Sequence, residues 1–356
     1  MLNITYLNIG GIYVQPSAHW ATTIGDWEAN PVRFSHGLAA TAAGIRERGL
    51  VPGLWMEPEH VARDSVAVHQ TDHLLRRDGQ TLTLELRRAW DLHDPWVRDF
   101  IDARVIRMLA NAGFGYLKID YSETLGIGVD HADGLGEGLR RHGECTHALF
   151  NRIRAALPEL VTELVSAGGG RMEPSLLQRT SMASFSDVHE AVEVPIVSVA
   201  LHRLVLPRQS LIWAVVHGDD PLRRLGYTLA ATFLGRMSLS GDLVDLNKEQ
   251  LAFVKSATEL YRRAALVIRD GVSRLTGEFG ASWRHPTGWQ GVVRSASERV
   301  LVVLHSFIDS PTVPLPSSGW RVVDTLTSLP VTVRGDVLDG VNESDFDAQV
   351  VLLERV

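Results

Sequence analysis

The sequence predicts an α/β fold, a closed barrel of parallel strands with a small antiparallel sandwich appended. Three observations predict it. Over residues 1–240, short apolar β-like runs alternate with amphipathic helical stretches, the pattern of parallel strands joined by helical crossovers. The number and length of these units favour a (β/α) barrel over an open doubly wound sheet. After Gly271 short β runs take over, separated by Gly, Pro, Ser and Asp clusters, which reads as a sandwich of about 85 residues. Residues 1–270 are therefore assigned to the barrel and 271–356 to the second domain.

Along the chain, Ile4–Asn8 is β-rich and ends at Gly10-Gly11. Leu38–Arg48 reads as a helix with Leu38, Ala42 and Ile45 on one stripe. Val51–Met56 is an apolar strand, with an expected helix from about Pro58 to Val68 after it. Ala89–Leu92 is short and β-like. Asp94 is placed to cap a helix that starts at Pro95 and runs to Ala112. Phe114–Asp120 is a strand, Gly138–Leu157 a helix, Val161–Val165 a strand, Pro174–Arg179 a short helix and Met182–Ser186 a strand. Ser210–Val216 is a strand, Pro221–Phe233 a helix and Leu246–Ile268 a long terminal helix. The β runs of the second domain are Trp289–Ala296, Val300–Phe307, Trp320–Leu326, Val331–Val337 and Gln349–Glu354.

Composition narrows the function. With 45% hydrophobic and 22% charged residues the chain of 356 is globular, not disordered. A net charge of −7 argues against a nucleic-acid partner. The single cysteine, Cys145, excludes an internal disulfide framework and Cys-rich zinc sites. The N-terminus MLNITYLNIGG lacks the charged and apolar regions of a signal peptide, so a cytoplasmic location is expected. No apolar run reaches ~18 residues, so no membrane span is expected. The histidines show no metal pattern: His69 and His73 share a helix face but lack a third ligand nearby.

Several strand ends carry chemistry. In Tyr116-Leu-Lys-Ile-Asp120, Lys118 and Asp120 alternate onto one face. At the barrel mouth Lys118 would hold Asp120 ionised, as a carboxylate nucleophile requires; a structural ion pair fits the same pattern. In Val51-Pro-Gly-Leu-Trp-Met-Glu57, Gly53, Trp55 and Glu57 share a face. Trp55 is either an apolar platform suited to the carbon face of a sugar or a core residue. Ser166-Ala-Gly-Gly-Gly-Arg171 allows close backbone approach or a tight turn, and Arg171 fits pairing with a carboxylate or a polar substrate group. Asp187, closing a β run, is a rim acid or a turn residue. Ser122–Gly138 is a long acidic, glycine-rich stretch, read as a loop on the catalytic face or a flexible surface loop.

At these residues the chain resembles glycoside hydrolase family 36, the alpha-galactosidase (melibiase) family. The matching pieces are GDW (25–27), PGLWMEPE (52–59), DLHDPWVRDFI (91–101), GYLKIDYSE (115–123), SAGGGRMEPSLLQR (166–179) and FSD (185–187). They occur in the family's order over about residues 5–270. The resemblance implies a (β/α)8-type TIM barrel and a retaining mechanism with Asp120 as nucleophile and Asp187 as acid/base. It further implies substrate contacts at Trp55, Lys118, Asn8, Trp27, Gly168, Gly169 and Arg171, and no metal or organic cofactor. An oligosaccharide or glycoside is the implied partner, with a homo-oligomer possible by analogy.

Three departures bear on this expectation. The family's N-terminal β-sandwich and first barrel strand have no counterpart here, so the barrel is expected to be N-terminally incomplete, with an exposed edge. Many members carry Asp-Asp-Gly where this chain reads Asn8-Ile9-Gly10-Gly11; Asn8 still hydrogen-bonds, but uncharged, and Ile9 binds no hydroxyl. The family often has Cys where Val165 stands. The expected function is a retaining alpha-galactosidase. The alternatives are a related alpha-glycosidase (an alpha-N-acetylgalactosaminidase or a transglycosylase) and an inactive carbohydrate-binding barrel.

Overall fold

The structure is a computed structural model and describes residues 6–9, 20–277, 284–326, 330–340 and 345–356. The chain divides into two compact units, residues 4–183 and 184–356. The change from parallel to antiparallel strands expected after Gly271 falls inside the second unit.

The first unit is built on parallel strands in chain order: β1 (Tyr6–Ile9), β2 (Val51–Met56), β3 (Tyr116–Ile119), β4 (Val161–Leu164) and β5 (Met182–Ser184). Their register places Gly53 beside Tyr116, and Trp55 beside Lys118. Lys118 in turn lies beside Glu163. Alternation then sends Leu54, Met56, Leu117 and Ile119 to the opposite face, where all four are fully buried. Helix Gly37–Arg46 covers this layer with Ala42 and Ile45. Asp94 caps the next helix as expected, accepting from Trp96 N–H at 2.8 Å with Pro95 at its first position. That helix passes through a π turn at Asp102–Arg107. The crossover before β4 is Leu135–Ala156, which buries Leu149, Phe150 and Ile153.

The helix expected over Pro58–Val68 does not form. A short strand, His60–Ala62, pairs antiparallel with Arg87–Ala89, and a 3-10 turn lies beyond it at Ala67–His69. The helix-like spacing of Val61, Ser65 and Val68 is overridden by tertiary pairing, because Glu57, Glu59 and His60 are buried here and need partners from distant segments. The 122–138 stretch is shorter and better fastened than a flexible loop. Helix begins at Leu135, Leu125 and Val129 are buried against Leu75 and Leu82, and Arg77 Nε donates to Gly128 O at 2.8 Å.

The second unit carries two more parallel strands, β6 (Ser210–Val216) and β7 (Arg236–Gly241), paired over six residues. β7 has no apolar run and is half-exposed along most of its length, which hid it in the sequence. Helix Lys248–Asp270 starts with a capping box between Asn247 and Gln250. The antiparallel part has a five-stranded sheet, in the order Val272–Gly277, Trp289–Ala296, Arg299–Ser306, Asp347–Arg355, Trp320–Leu326, and a three-stranded sheet of Thr312–Pro314, Val337–Asp339 and Thr332–Arg334. Val302 and Val351 from the first sheet pack with Val313 and Leu338 from the second, so this is the sandwich the sequence predicts. Among the described residues, no helix is long and apolar enough to cross a membrane.

Candidate active site

The chemistry-bearing residues of the first unit gather just past the C-terminal ends of β2, β3 and β4. Asp120 comes directly after β3, and its N–H still pairs with Met56 O at 2.9 Å. Its carboxylate, 6% exposed, is held by N–H donors on both oxygens. Oδ1 accepts from Tyr121 N–H at 2.8 Å and Ala167 N–H at 2.9 Å; Oδ2 accepts from the Trp55 indole at 3.1 Å. Such a carboxylate is fixed in orientation before any ligand arrives. Trp55 and Lys118 occupy one row with Glu163, and Glu163 accepts the Tyr116 hydroxyl. Gly53 is required beneath this row: a Cβ there would lie 2.8 Å from the Tyr116 ring.

The donor at Ala167 depends on an unusual turn. Ser166, Ala167, Gly168 and Gly169 all have positive φ, at 49°, 49°, 79° and 97°. Glycine adopts this region freely, whereas each of the two others costs about 1–2 kcal/mol. This backbone brings the Ala167 N–H onto Asp120. Arg171 ties the turn down, donating from Nε to Ser166 Oγ at 3.1 Å and from Nη2 to Glu59 Oε1 at 2.8 Å. Its guanidinium lies 3.9 Å over the Tyr121 ring. Thr146 completes Glu59, donating to Oε2 at 2.8 Å.

A second buried cluster braces the segment after Asp120. Glu57 accepts from Arg87 at 2.8 Å and from the Ser122 hydroxyl at 2.7 Å, and its other oxygen lies 3.2 Å from His60 Nδ1. Arg87 also reaches Glu123 at 3.1 Å. Sequence reading placed Glu57 on the Trp55 face but missed Glu59, Arg87 and Tyr121 as parts of a site. The local signal was the pair of glutamates in MEPE, on a segment otherwise apolar enough to be buried.

Burial alone would raise the Glu57 carboxyl, but His60 and Arg87 outweigh it and hold it below its ordinary 4.5. For Glu59 burial is again opposed, by Arg171 foremost, with the same result. Folded-state values below the unfolded ones mean stability that is present above pH 4.5 and lost as pH falls through the depressed values. We expect the thermal midpoint to fall as the pH drops below 4.5, and to fall less steeply in Glu59→Gln, as read by scanning calorimetry.

The other expected residues lie further from this carboxylate's immediate contacts. Trp27 is 2% exposed, in the core of the first unit, with φ of 52°. Asp26 beside it accepts from Val66 and Ala67 N–H at 3.0 and 2.7 Å. Asn8 lies opposite Gly53 in register; its side chain is outside the described residues, as are Gly10 and Gly11. In the second unit, Asp187 is exposed on a short turn, Ser186–Val188, behind the buried Phe185. Ser186 Oγ fastens this turn to β6 by accepting Trp213 N–H at 3.1 Å. A cavity of about 140 Å³ adjoins it. Among the described residues no group of three His, Cys, Asp or Glu is arranged to hold a metal.

Parallel strands joined by helices, with Trp55 near the end of one strand and the oriented Asp120 carboxylate just past the end of the next, define a protein of the TIM-barrel class. Residues 16–271 match the melibiase family, and the chain belongs to that family. Alpha-galactosidase Mel36A of Lactobacillus acidophilus is 28% identical over 303 residues, covering 80% of this chain and 40% of the relative. A GH36 alpha-galactosidase AgaA variant from Geobacillus stearothermophilus, solved with 1-deoxygalactonojirimycin, superposes with a TM-score of 0.84 at 19% identity, covering 99% of this chain and 51% of that one. Another AgaA variant, in complex with raffinose, gives 0.83 at 18%, with the same coverage. These likenesses show the fold, a TIM-type barrel with antiparallel strands after it. The chain spans about half the length, or less, of these relatives.

Proposed function

We propose that this chain carries the catalytic barrel, residues 1–270, of a retaining alpha-galactosidase acting on alpha-galactosyl oligosaccharides, with 271–356 as its β-sandwich domain. The observation that carries this is Asp120, a carboxylate held by three N–H donors beside an indole at a strand's C-terminal end. The names of the relatives, and the raffinose bound in one, support the galactosyl specificity.

Asp120 attacks the anomeric carbon with one carboxylate oxygen. Asp187 gives its proton to the glycosidic oxygen, which departs with the bonding pair as an alcohol. Asp187, now ionised, takes a proton from water, and that water's oxygen displaces Asp120 to regenerate the free carboxylate. A retaining pair works at ~5–5.5 Å between carboxyl groups. Trp55 supplies the platform for the sugar's carbon face, and Lys118 and Asn8 bind hydroxyls. Gly168 and Gly169, in the turn tied down by Arg171, and Trp27 complete the set of sugar-contacting residues. No cofactor enters this mechanism.

Asn8-Ile9 and Val165 favour a test of the sugar as well as the reaction. Aryl alpha-galactoside, alpha-N-acetylgalactosaminide and alpha-glucoside are offered to purified protein. Cleavage of the galactoside alone is the expected result. Cleavage of the N-acetylgalactosaminide instead moves the specificity, and turnover of none removes the assignment.

A further inference from the structure

Ser166 and Ala167 hold left-handed backbone that L side chains avoid. Such a conformation persists only where the surroundings impose it. Arg171 is the side chain that grips this turn. It reaches back five residues to Ser166 Oγ with Nε, and its guanidinium carbon lies 3.9 Å from the centre of the Tyr121 ring. It thereby touches both segments whose N–H groups, at Ala167 and Tyr121, meet on Asp120 Oδ1. Ala167 itself is exposed, so its N–H is kept from water by that bond rather than by burial.

Arg171 is fixed in its turn by Glu59, 1% exposed, which accepts from Nη2 at 2.8 Å and takes the Thr146 hydroxyl on its other oxygen. Burying a carboxylate with a guanidinium gains little stability by itself, because desolvation offsets the attraction. Apolar residues of like size in place of both are roughly neutral for a fold. The pair is better explained by the geometry it fixes. We infer that Arg171, held by Glu59, is the positioning residue of Asp120: it locks both N–H donors onto Oδ1 and so aims the carboxylate. The inference rests on Asp120 being the nucleophile of the proposed reaction. Attack needs the carboxylate oxygen about 3–3.5 Å from the anomeric carbon and in line, and a displacement of about 1 Å costs about 100-fold in rate. A residue that acts through the nucleophile lowers kcat and leaves KM largely unchanged.

Two variants test this. Arg171→Lys keeps a cation for Glu59 but not the planar fork that reaches Glu59 and Ser166 together. The double variant Glu59→Leu, Arg171→Met removes both charges and strands neither, so it should melt close to wild type. In each, kcat for p-nitrophenyl alpha-galactoside should fall about tenfold to a hundredfold while KM stays within about threefold. Hydrogen exchange of the peptide carrying Ala167, read by mass spectrometry without substrate, should speed up at least about tenfold, the scale of one hydrogen bond to a charged group. A folded double variant with kcat within about twofold of wild type, or with Ala167 exchange unchanged, would overturn the inference and leave the glycosidase reading standing. A double variant that does not fold would overturn it as well, since the pair would then serve the fold. If the wild type hydrolyses no galactoside, that reading fails, and the exchange alone upholds or overturns the hold of Arg171 on Asp120.

Discussion

Replacing Asp120 with Asn lowers turnover by at least about 10⁴-fold, the scale seen when a nucleophile is removed from a working constellation. The amide oxygen cannot form the glycosyl ester. The substitution is otherwise small. Asn keeps an oxygen where Tyr121 and Ala167 N–H point, but its NH₂ then faces the Trp55 indole, so one hydrogen bond becomes a donor–donor contact. That costs roughly 1–3 kcal/mol of stability, a fall in melting temperature of a few degrees, and the protein stays folded at assay temperature. Activity and melting temperature measured together separate lost chemistry from lost fold. A variant that is folded and fully active would exclude Asp120 as a covalent nucleophile.

Replacing Arg87 with Met has the largest expected effect on stability. Glu57 is fully buried, with the Arg87 guanidinium at 2.8 Å and His60 Nδ1 at 3.2 Å. Removing one member of a buried pair strands the other and costs about 3–5 kcal/mol. The loss should also reach the site, because Glu57 holds Ser122, two residues past Asp120. The double variant Glu57→Leu, Arg87→Met should recover a large part of the stability, since the buried Glu57 charge is then gone as well. Denaturant unfolding checks both. A loss below about 1 kcal/mol in the single variant would mean that the ion pair carries little of the fold.

The sequence made the strands legible wherever an apolar run coincided with a buried strand. Val51–Met56, Ser210–Val216, Trp289–Ala296 and Trp320–Leu326 fall where the runs put them. It failed where pairing, not composition, makes the strand. Arg236–Gly241 is polar and half-exposed, and His60–Ala62 exists only because Arg87–Ala89 lies beside it. Helix Val194–Leu201 and strand Val272–Gly277 are also hidden, the first because it is apolar almost throughout and has no stripe. At the site, strand alternation was enough to group Lys118 with Asp120 and Trp55 with Glu57, but the register that sets Trp55 beside Lys118 was not legible. The contacts that orient Asp120 were not legible. Ala167 reaches it through left-handed backbone in two non-glycine residues, and the bracing pairs Glu59–Arg171 and Glu57–Arg87 join residues 112 and 30 positions apart. The glutamates of MEPE stand out locally, but nothing local in the sequence marks which arginines they pair with.

The central claim, that Asp120 is the residue to which the sugar is transferred, has a direct chemical test. The protein is incubated with a 2-deoxy-2-fluoro galactosyl substrate bearing a good leaving group, so that the glycosyl-enzyme forms faster than it hydrolyses. It is then digested and the labelled peptide sequenced by mass spectrometry. The expected result is one fluorogalactosyl group per chain, on Asp120. A label on another carboxylate, or rapid turnover with no adduct and the β anomer as first product, would contradict the account.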